Sequence, residues 1–294
     1  MGSYQFYEFR AIDQALADQD RERLRRISSR AEITSRSMTN VYNYGDFRGD
    51  SLELMERWFD LHLYIASWGT RKMMIRLPAR LADRRHLERF VEEVDEVQFI
   101  HRGQNLIVEI NFDDEGSENR YFDEWEHGDG WLDALAPLRT DLLAGDHRLF
   151  YILWLTAVEN NLLLDDAKEP LPGIGPLSNP LRKFAKFFDV DSDLVQAAAA
   201  SPVGTDAGAS FALAMRRAIQ SLPEAEKTAL LVRLVEGDVH VGPELRSRIR
   251  TDLYMEQTRS GVKHRTVAEL REGASAVRKA RARKKREERR RKEE

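Results

Sequence analysis

The sequence predicts an α+β fold. Residues 1–114 read as a ferredoxin-like or related α/β sandwich, followed by an all-α domain and a basic C-terminal helix. Three observations predict it. Short β-rich runs alternate with amphipathic helical runs as far as Phe112. From Trp131 onward the pattern is helical and stays so. After Val277 no apolar residue other than alanine occurs. The expected boundaries are 1–114, an acidic linker at 115–130, a helical domain at 131–258, and the extension at 264–294.

The first segment alternates in type. Tyr4–Ile12 is aromatic and β-favouring and reads as a strand. Asp13 opens a helical stretch to about Ser28, with Leu16, Leu24 and Ile27 on one side. Ala31–Asn43 returns to strand composition, and Gly45, Gly49 and Asp50 mark a loop. Asp50 or Ser51 supplies a side-chain oxygen to cap a short helix through Phe59. Leu61–Leu77 reads as two strands bent near Gly69. Asp83–Val94 reads as an amphipathic helix with Leu87, Phe90, Val91 and Val94 on its apolar side. Val97–Phe112 reads as a hairpin turning at Gly103.

The second half is punctuated by prolines and glycines. Trp131–Leu143 and Asp146–Asn161 read as helices parted by Gly145, the second apolar around most of its circumference and so central. Pro170–Pro180 is a loop. Leu181–Phe188 and Ser192–Ala200 form a tight helical pair, and Ala209–Leu222 carries an apolar stripe. Pro223 starts a helix that Gly237 ends, and a shorter one follows Pro243. Thr266–Glu294 reads as one helix, roughly 44 Å long if continuous, too polar to bury much of itself.

Composition excludes several classes. The 294 residues contain no cysteine, which removes disulfides, thiolate metal sites and cysteine nucleophiles. The N-terminus lacks a secretory pattern, and Phe6 stands where a myristoylation signal needs Ser or Thr. The longest apolar run, Leu149–Val158, is too short to span a bilayer, so no membrane partner is expected and a cytoplasmic location is. Charge is lopsided: Arg278–Glu294 holds 11 Lys/Arg against 4 Glu, leaving −11 on an acidic body whose whole chain is −4.

Most short motifs have ordinary explanations. The RGD at Arg48–Asp50 reads as loop plus helix cap. Asp189, Asp191 and Asp193 imitate a calcium loop, but Leu194 and Ala200 occupy its Gly and Glu positions, so they read as a turn and a cap. Gly173–Gly175 follows no strand, against a dinucleotide loop. The helical pair before Ala200 has helix-turn-helix spacing, yet Ser192–Ala200 has no Lys or Arg to reach DNA. No two histidines stand at i, i+4.

The chain concentrates aromatic and charged residues between Tyr42 and Pro78. The leading expectation is a non-enzymatic interaction or adaptor module that meets another protein through Tyr44, Asp46, Arg48, Asp50, Asp60, His62, Trp68 and Arg71. The alternative is a nucleic-acid-associated protein contacting phosphates through Arg278, Lys279, Arg281, Arg283, Lys284, Lys285, Arg286, Arg289, Arg290, Arg291 and Lys292. A third reading gathers Asp46, Asp60 and His62 into a hydrolytic or small-ligand site. No catalytic residue, metal or cofactor is assigned.

YxFYEFxAID at Tyr4–Asp13, NxYxxGDFRGD at Asn40–Asp50 and LYxAxWGTRxxxxRLP at Leu63–Pro78 resemble a bacterial protein family with no established activity. LPEAEKTALLVRLVEGD at Leu222–Asp238 and RTVAELR at Arg265–Arg271 extend the resemblance over most of the chain. It implies a bacterial cytoplasmic protein and transfers no functional residue. Relatives of this kind continue beyond a similar basic helix, which implies a chain that stops short of their C-terminus.

Overall fold

The structure is a computed structural model and describes residues 4–113, 130–200, 207–259 and 263–293. It divides into two compact units, Met1–Arg89 with Asp95–Leu143, and Phe90–Val94 with Ala144–Glu294. The expected linker at 115–130 lies outside the described residues apart from Gly130.

The first unit is built on a seven-stranded antiparallel sheet. Its strands are β1 (Gln5–Arg10), β2 (Glu32–Ile33), β3 (Ser37–Tyr42), β4 (Leu61–Ala66), β5 (Arg71–Pro78), β6 (Val97–Arg102) and β7 (Asn105–Phe112). The spatial order is β2-β3-β1-β4-β5-β7-β6. The α+β class holds, and the sheet is larger than that of a four-stranded ferredoxin-like sandwich. Hairpins turn at Gly69 and Gly103, whose φ of 106° and 55° suit glycine. Strand β1 lies inside, pairing Phe9 with both Met38 and His62.

Period-two alternation assigns the faces. Phe9, Met38, Met74 and Ile107 form one apolar layer with Leu24 of α1 (Asp18–Ile27), Leu54 and Met55 of α2 (Ser51–Arg57), and Phe59. Asp50 caps α2 as its position predicts, accepting from the amides of Leu52 (2.8 Å) and Glu53 (3.2 Å). The opposite face buries Phe6, Leu63, Met73, Ile75, Leu106, Val108 and Ile110.

One expected helix is cut short. Helix α3 covers only Arg84–Glu88, and Phe90–Val94 continues in turns with its apolar residues buried. A longer helix would start on Arg84 and Arg85 and end on Glu92 and Glu93, both ends opposing the macrodipole. Helices α4 (Trp131–Leu135) and α5 (Pro137–Leu143) fall in the first unit and bury Leu132, Leu135 and Leu138.

The second unit is helical. Helix α6 (Arg148–Glu159) buries every residue from Leu149 to Val158. With it come α7 (Asn179–Phe187), α8 (Ser192–Ala199), α9 (Ala207–Ser221), α10 (Glu224–Val235), α11 (Val241–Arg259) and α12 (Val267–Glu293). Asp191 caps α8, accepting from the Asp193 amide at 2.7 Å, and Asp189 has a φ of 53°, so the aspartate run is a turn and a cap. Among the described residues no helix is long and apolar enough to cross a membrane.

The start of α12 is pinned. Lys168 and Thr266 form an antiparallel bridge, and the Val267 amide donates to the Ala167 carbonyl at 2.9 Å. Thr266 and Glu269 form a reciprocal capping box at 2.8 and 3.1 Å. Val267, Leu270 and Ala274, spaced along one helical face, are buried. A large apolar side chain so buried contributes about 1.5–3 kcal/mol, against about 0–1 kcal/mol for an exposed ion pair. Packing of these residues therefore outweighs the exposed ion pairs farther along the helix.

Candidate functional site

The residues between Tyr42 and Arg71 part into two groups. Gln5 pairs with Tyr42 on one side and Ala66 on the other, so the chain leaving β3 and the chain leaving β4 depart from the same end of the sheet. Arg71, opposite Ile65, begins β5 at that end. Tyr44, Asp46, Trp68 and Arg71 are thereby gathered there. Tyr44 is 79 % exposed and Trp68 42 %, while Asp46, Arg48 and Asp50 lie along the loop into α2. Gln5 steadies this loop, its amide nitrogen donating to the Gly45 carbonyl and the Asp46 carboxylate, each at 3.1 Å. A Cβ at Gly49 would meet the Phe47 ring at 2.6 Å and Ile27 at 2.9 Å, so the loop needs glycine there.

Asp60 and His62 belong to the interior, which corrects their assignment to an interaction surface. Asp60 is fully buried. Its carboxylate accepts from the amides of Ile12 (2.6 Å) and Asp13 (2.9 Å) and from Arg76 at 2.8 Å, and it lies 3.2 Å from Arg139. Arg139 also grips Asp13 and donates to the Arg76 carbonyl at 2.8 Å. Two guanidiniums and two carboxylates balance, the condition under which ions tolerate burial.

The His62 imidazole stacks on Phe9, with centroids 4.0 Å apart, and its Nδ1 meets the Glu8 carbonyl at 3.0 Å. Burial lowers its pKa to about 3; the Glu8 contact opposes this and the Lys72 charge adds to it. The ring is therefore neutral near pH 7, with Nδ1 as the donor. Asp46, Asp60 and His62 answer to separate partners, and no hydrogen bond joins any two of them. The acid–base cluster is not formed. Among the described residues no group of three His, Asp or Glu could hold a metal ion.

Sequence reasoning missed a polar network beside the loop. Tyr7 and Tyr64 face each other on β1 and β4, with rings 4.6 Å apart. Both hydroxyls donate to Gln5 Oε1, at 2.7 and 3.2 Å. Burial pushes both phenols above their ordinary pKa, and at Tyr64 the neighbouring Tyr7, Asp46 and Asp113 push further. The available signal was the alternation in QFYEF and LHLYIA, which sets these residues on one face.

The cationic helix also divides. Arg278 reaches Asp191 (2.8 Å) and Asp193 (3.0 Å), and Arg281 reaches Asp193 (2.9 Å) and the Ser192 hydroxyl (3.1 Å). These two are committed to the start of α8. Arg283 and Lys284 lie one turn from Glu287 and Glu288, at 3.5 and 4.0 Å. Lys279, Lys285, Arg286, Arg289, Arg290, Arg291 and Lys292 are exposed. A groove of about 190 Å³ at Glu159, Asp191, Arg271 and Arg278 uses its arginines internally, with Arg271 on Asp165 at 2.6 Å.

No protein-family model, curated protein or solved structure matches this chain.

Proposed function

We propose a non-enzymatic interaction or adaptor protein that meets another protein at the sheet end bearing Tyr44, Asp46, Arg48, Asp50, Trp68 and Arg71. One observation carries it. The carboxylate and imidazole best suited to chemistry are spent on the core, whereas Tyr44 and Trp68 stand in solvent beside charged groups. A cytoplasmic setting fits a chain without cysteine. The test is quantitative affinity capture with wild type and with Tyr44→Ala/Trp68→Ala. A specific partner lost from the double variant supports the reading; an identical set of bound proteins ends it.

A second reading, phosphate contact with nucleic acid, is favoured by the distal turns of α12, where every side chain from Ala282 to Lys292 is exposed. Removing the whole segment after residue 262 would also remove Arg265 and the buried Val267 and Leu270. Charge neutralisation is cleaner. Full-length chain with Lys285, Arg286, Arg289 and Lys292 changed to Gln is compared with wild type on labelled DNA and RNA across a salt series. Binding that weakens with salt and is lost in the variant supports this reading; no binding at low salt removes it.

A further inference from the structure

Strands β4, β5 and β7 are apolar on one face and largely polar at one end of the other. Leu63, Met73, Ile75, Val108 and Ile110 are buried on the first face. On the second, strand pairing sets Tyr64, Lys72 and Asn111 in one row and His62, Met74 and Glu109 in the next. Tyr64, Lys72, Glu109 and Asn111 are half-buried. A solvated sheet face would hold such side chains in water, and a packed one would carry apolar side chains instead. A recessed polar patch across three strands has the make-up of a ligand site.

Two acceptors at this patch have no donor. His62 is 1 % exposed, and its Nδ1 faces the Glu8 carbonyl of β1 at 3.0 Å. Its Nε2 is therefore turned away from β1, with a lone pair that no hydrogen bond uses. Asn111 Oδ1 is likewise buried and accepts nothing. Native folds rarely leave buried acceptors unmet, so two on neighbouring rows of one patch ask for a partner. Charge is already closed there, because Lys72 and Glu109 pair at 2.9 Å. The patch thus calls for neutral donors and not for an ion.

We infer that this patch binds a neutral sugar, whose hydroxyls donate to His62 Nε2 and Asn111 Oδ1 and accept from Lys72. Hydroxyls suit it because each can both donate and accept. The Tyr64 ring and Met74 supply an apolar flank for the C–H side of the sugar ring. Strands β4 and β7 stand two places apart in the sheet, about 10 Å, which a ligand of one or two sugar rings spans. The patch shares no residue with the protein-binding surface at the sheet end or with α12, so it stands or falls apart from the function proposed above.

Methyl NMR of the full chain, labelled at its 7 methionines, tests the inference. Met74 lies within the patch, and Met215, in α9, reports on the second unit. Met74→Leu assigns the first signal. Glucose, galactose and maltose are the probes, with inorganic phosphate as the charged control. At least one sugar should shift Met74 saturably and leave Met215 unmoved. Asn111→Leu should weaken that binding about fivefold, the worth of one net hydrogen bond. His62→Phe, which keeps the ring and loses the acceptor, should do the same. Unchanged Met38 and Met215 signals in Asn111→Leu show that the chain still folds. A Met74 signal that no sugar moves overturns the inference and leaves the two acceptors to ordered water. So does a shift that Asn111→Leu leaves at full strength, or one that phosphate produces as strongly as any sugar.

Discussion

Arg139 and Asp13 stand 126 residues apart in the chain and meet in a two-pronged ion pair, at 2.8 and 2.6 Å. The same guanidinium lies 3.2 Å from the fully buried Asp60. Arg139 therefore ties helix α5 to the loop after β1 and to the residue before β4. Removing it leaves two carboxylates facing each other's field with less to balance them. Arg139→Ala should cost about 3–5 kcal/mol, as breaking a buried pair does. Urea unfolding of Arg139→Ala, Asp60→Asn and the double variant measures it. Strict additivity of the two single losses would remove the coupling.

His62 predicts an acid sensitivity. Its folded pKa of about 3 lies below the ordinary 6.5, so below that value the unfolded chain binds the proton more readily. This contribution is absent above pH 6.5. It destabilises progressively as pH falls towards 3, at up to about 1.4 kcal/mol per pH unit, and then levels off. His62→Asn should flatten that part of the stability curve. An unchanged slope between pH 6 and 4 would show that other groups set it.

Gly145 and Gly237 make a matched pair of tests. Both have positive φ, 77° and 88°. A Cβ at Gly145 would lie 3.1 Å from the Ser247 backbone, whereas at Gly237 it meets nothing within 4 Å. Gly237→Ala should cost about 1–2 kcal/mol, the ordinary left-handed penalty. Gly145→Ala should cost more, because backbone gives way less readily than a side-chain tip. Equal melting shifts for the two variants would contradict the packing difference.

Hydrogen exchange should divide α12 in two. Amides as far as about Arg281 are backed by Val267, Leu270 and Ala274 and by the ion pairs to Asp191 and Asp193. Those beyond Arg283 depend on exposed i, i+4 pairs, each worth about 0.3–0.5 kcal/mol. Protection should fall at least tenfold across that boundary. Asp193→Ala should move the boundary towards Ala274. Uniform protection to Lys292 would mean that the distal turns are held by something else.

Local chemistry was legible in the sequence and long-range pairing was not. The Asp50 cap, the glycine turns at 69 and 103 and the turn-and-cap role of Asp189–Asp193 follow from neighbours a few residues away. Nothing local tells Asp60 that Arg139 will be its counter-ion, or tells Arg278 that Asp193 will be. The aromatic cluster from Tyr42 to Arg71 looked like one surface because proximity in sequence does not distinguish the two ends of a strand. Asp60 precedes β4 and Trp68 follows it, so six residues of extended chain, roughly 20 Å, lie between them. The shortened α3 shows the reverse case, an apolar pattern that suggests a helix while its end charges oppose one.

The inner position of β1 carries a consequence for synthesis. The first strand of this sheet in chain order waits for Ser37–Tyr42 on one flank and Leu61–Ala66 on the other before both edges are covered. Until Ala66 emerges, at least one edge of a strongly β-forming segment is open to foreign strands, a time when chaperone protection matters most. Initiation downstream of Arg10 would not trim a margin; it would sever β2 and β3 from the other four strands and leave two sheets where one is required.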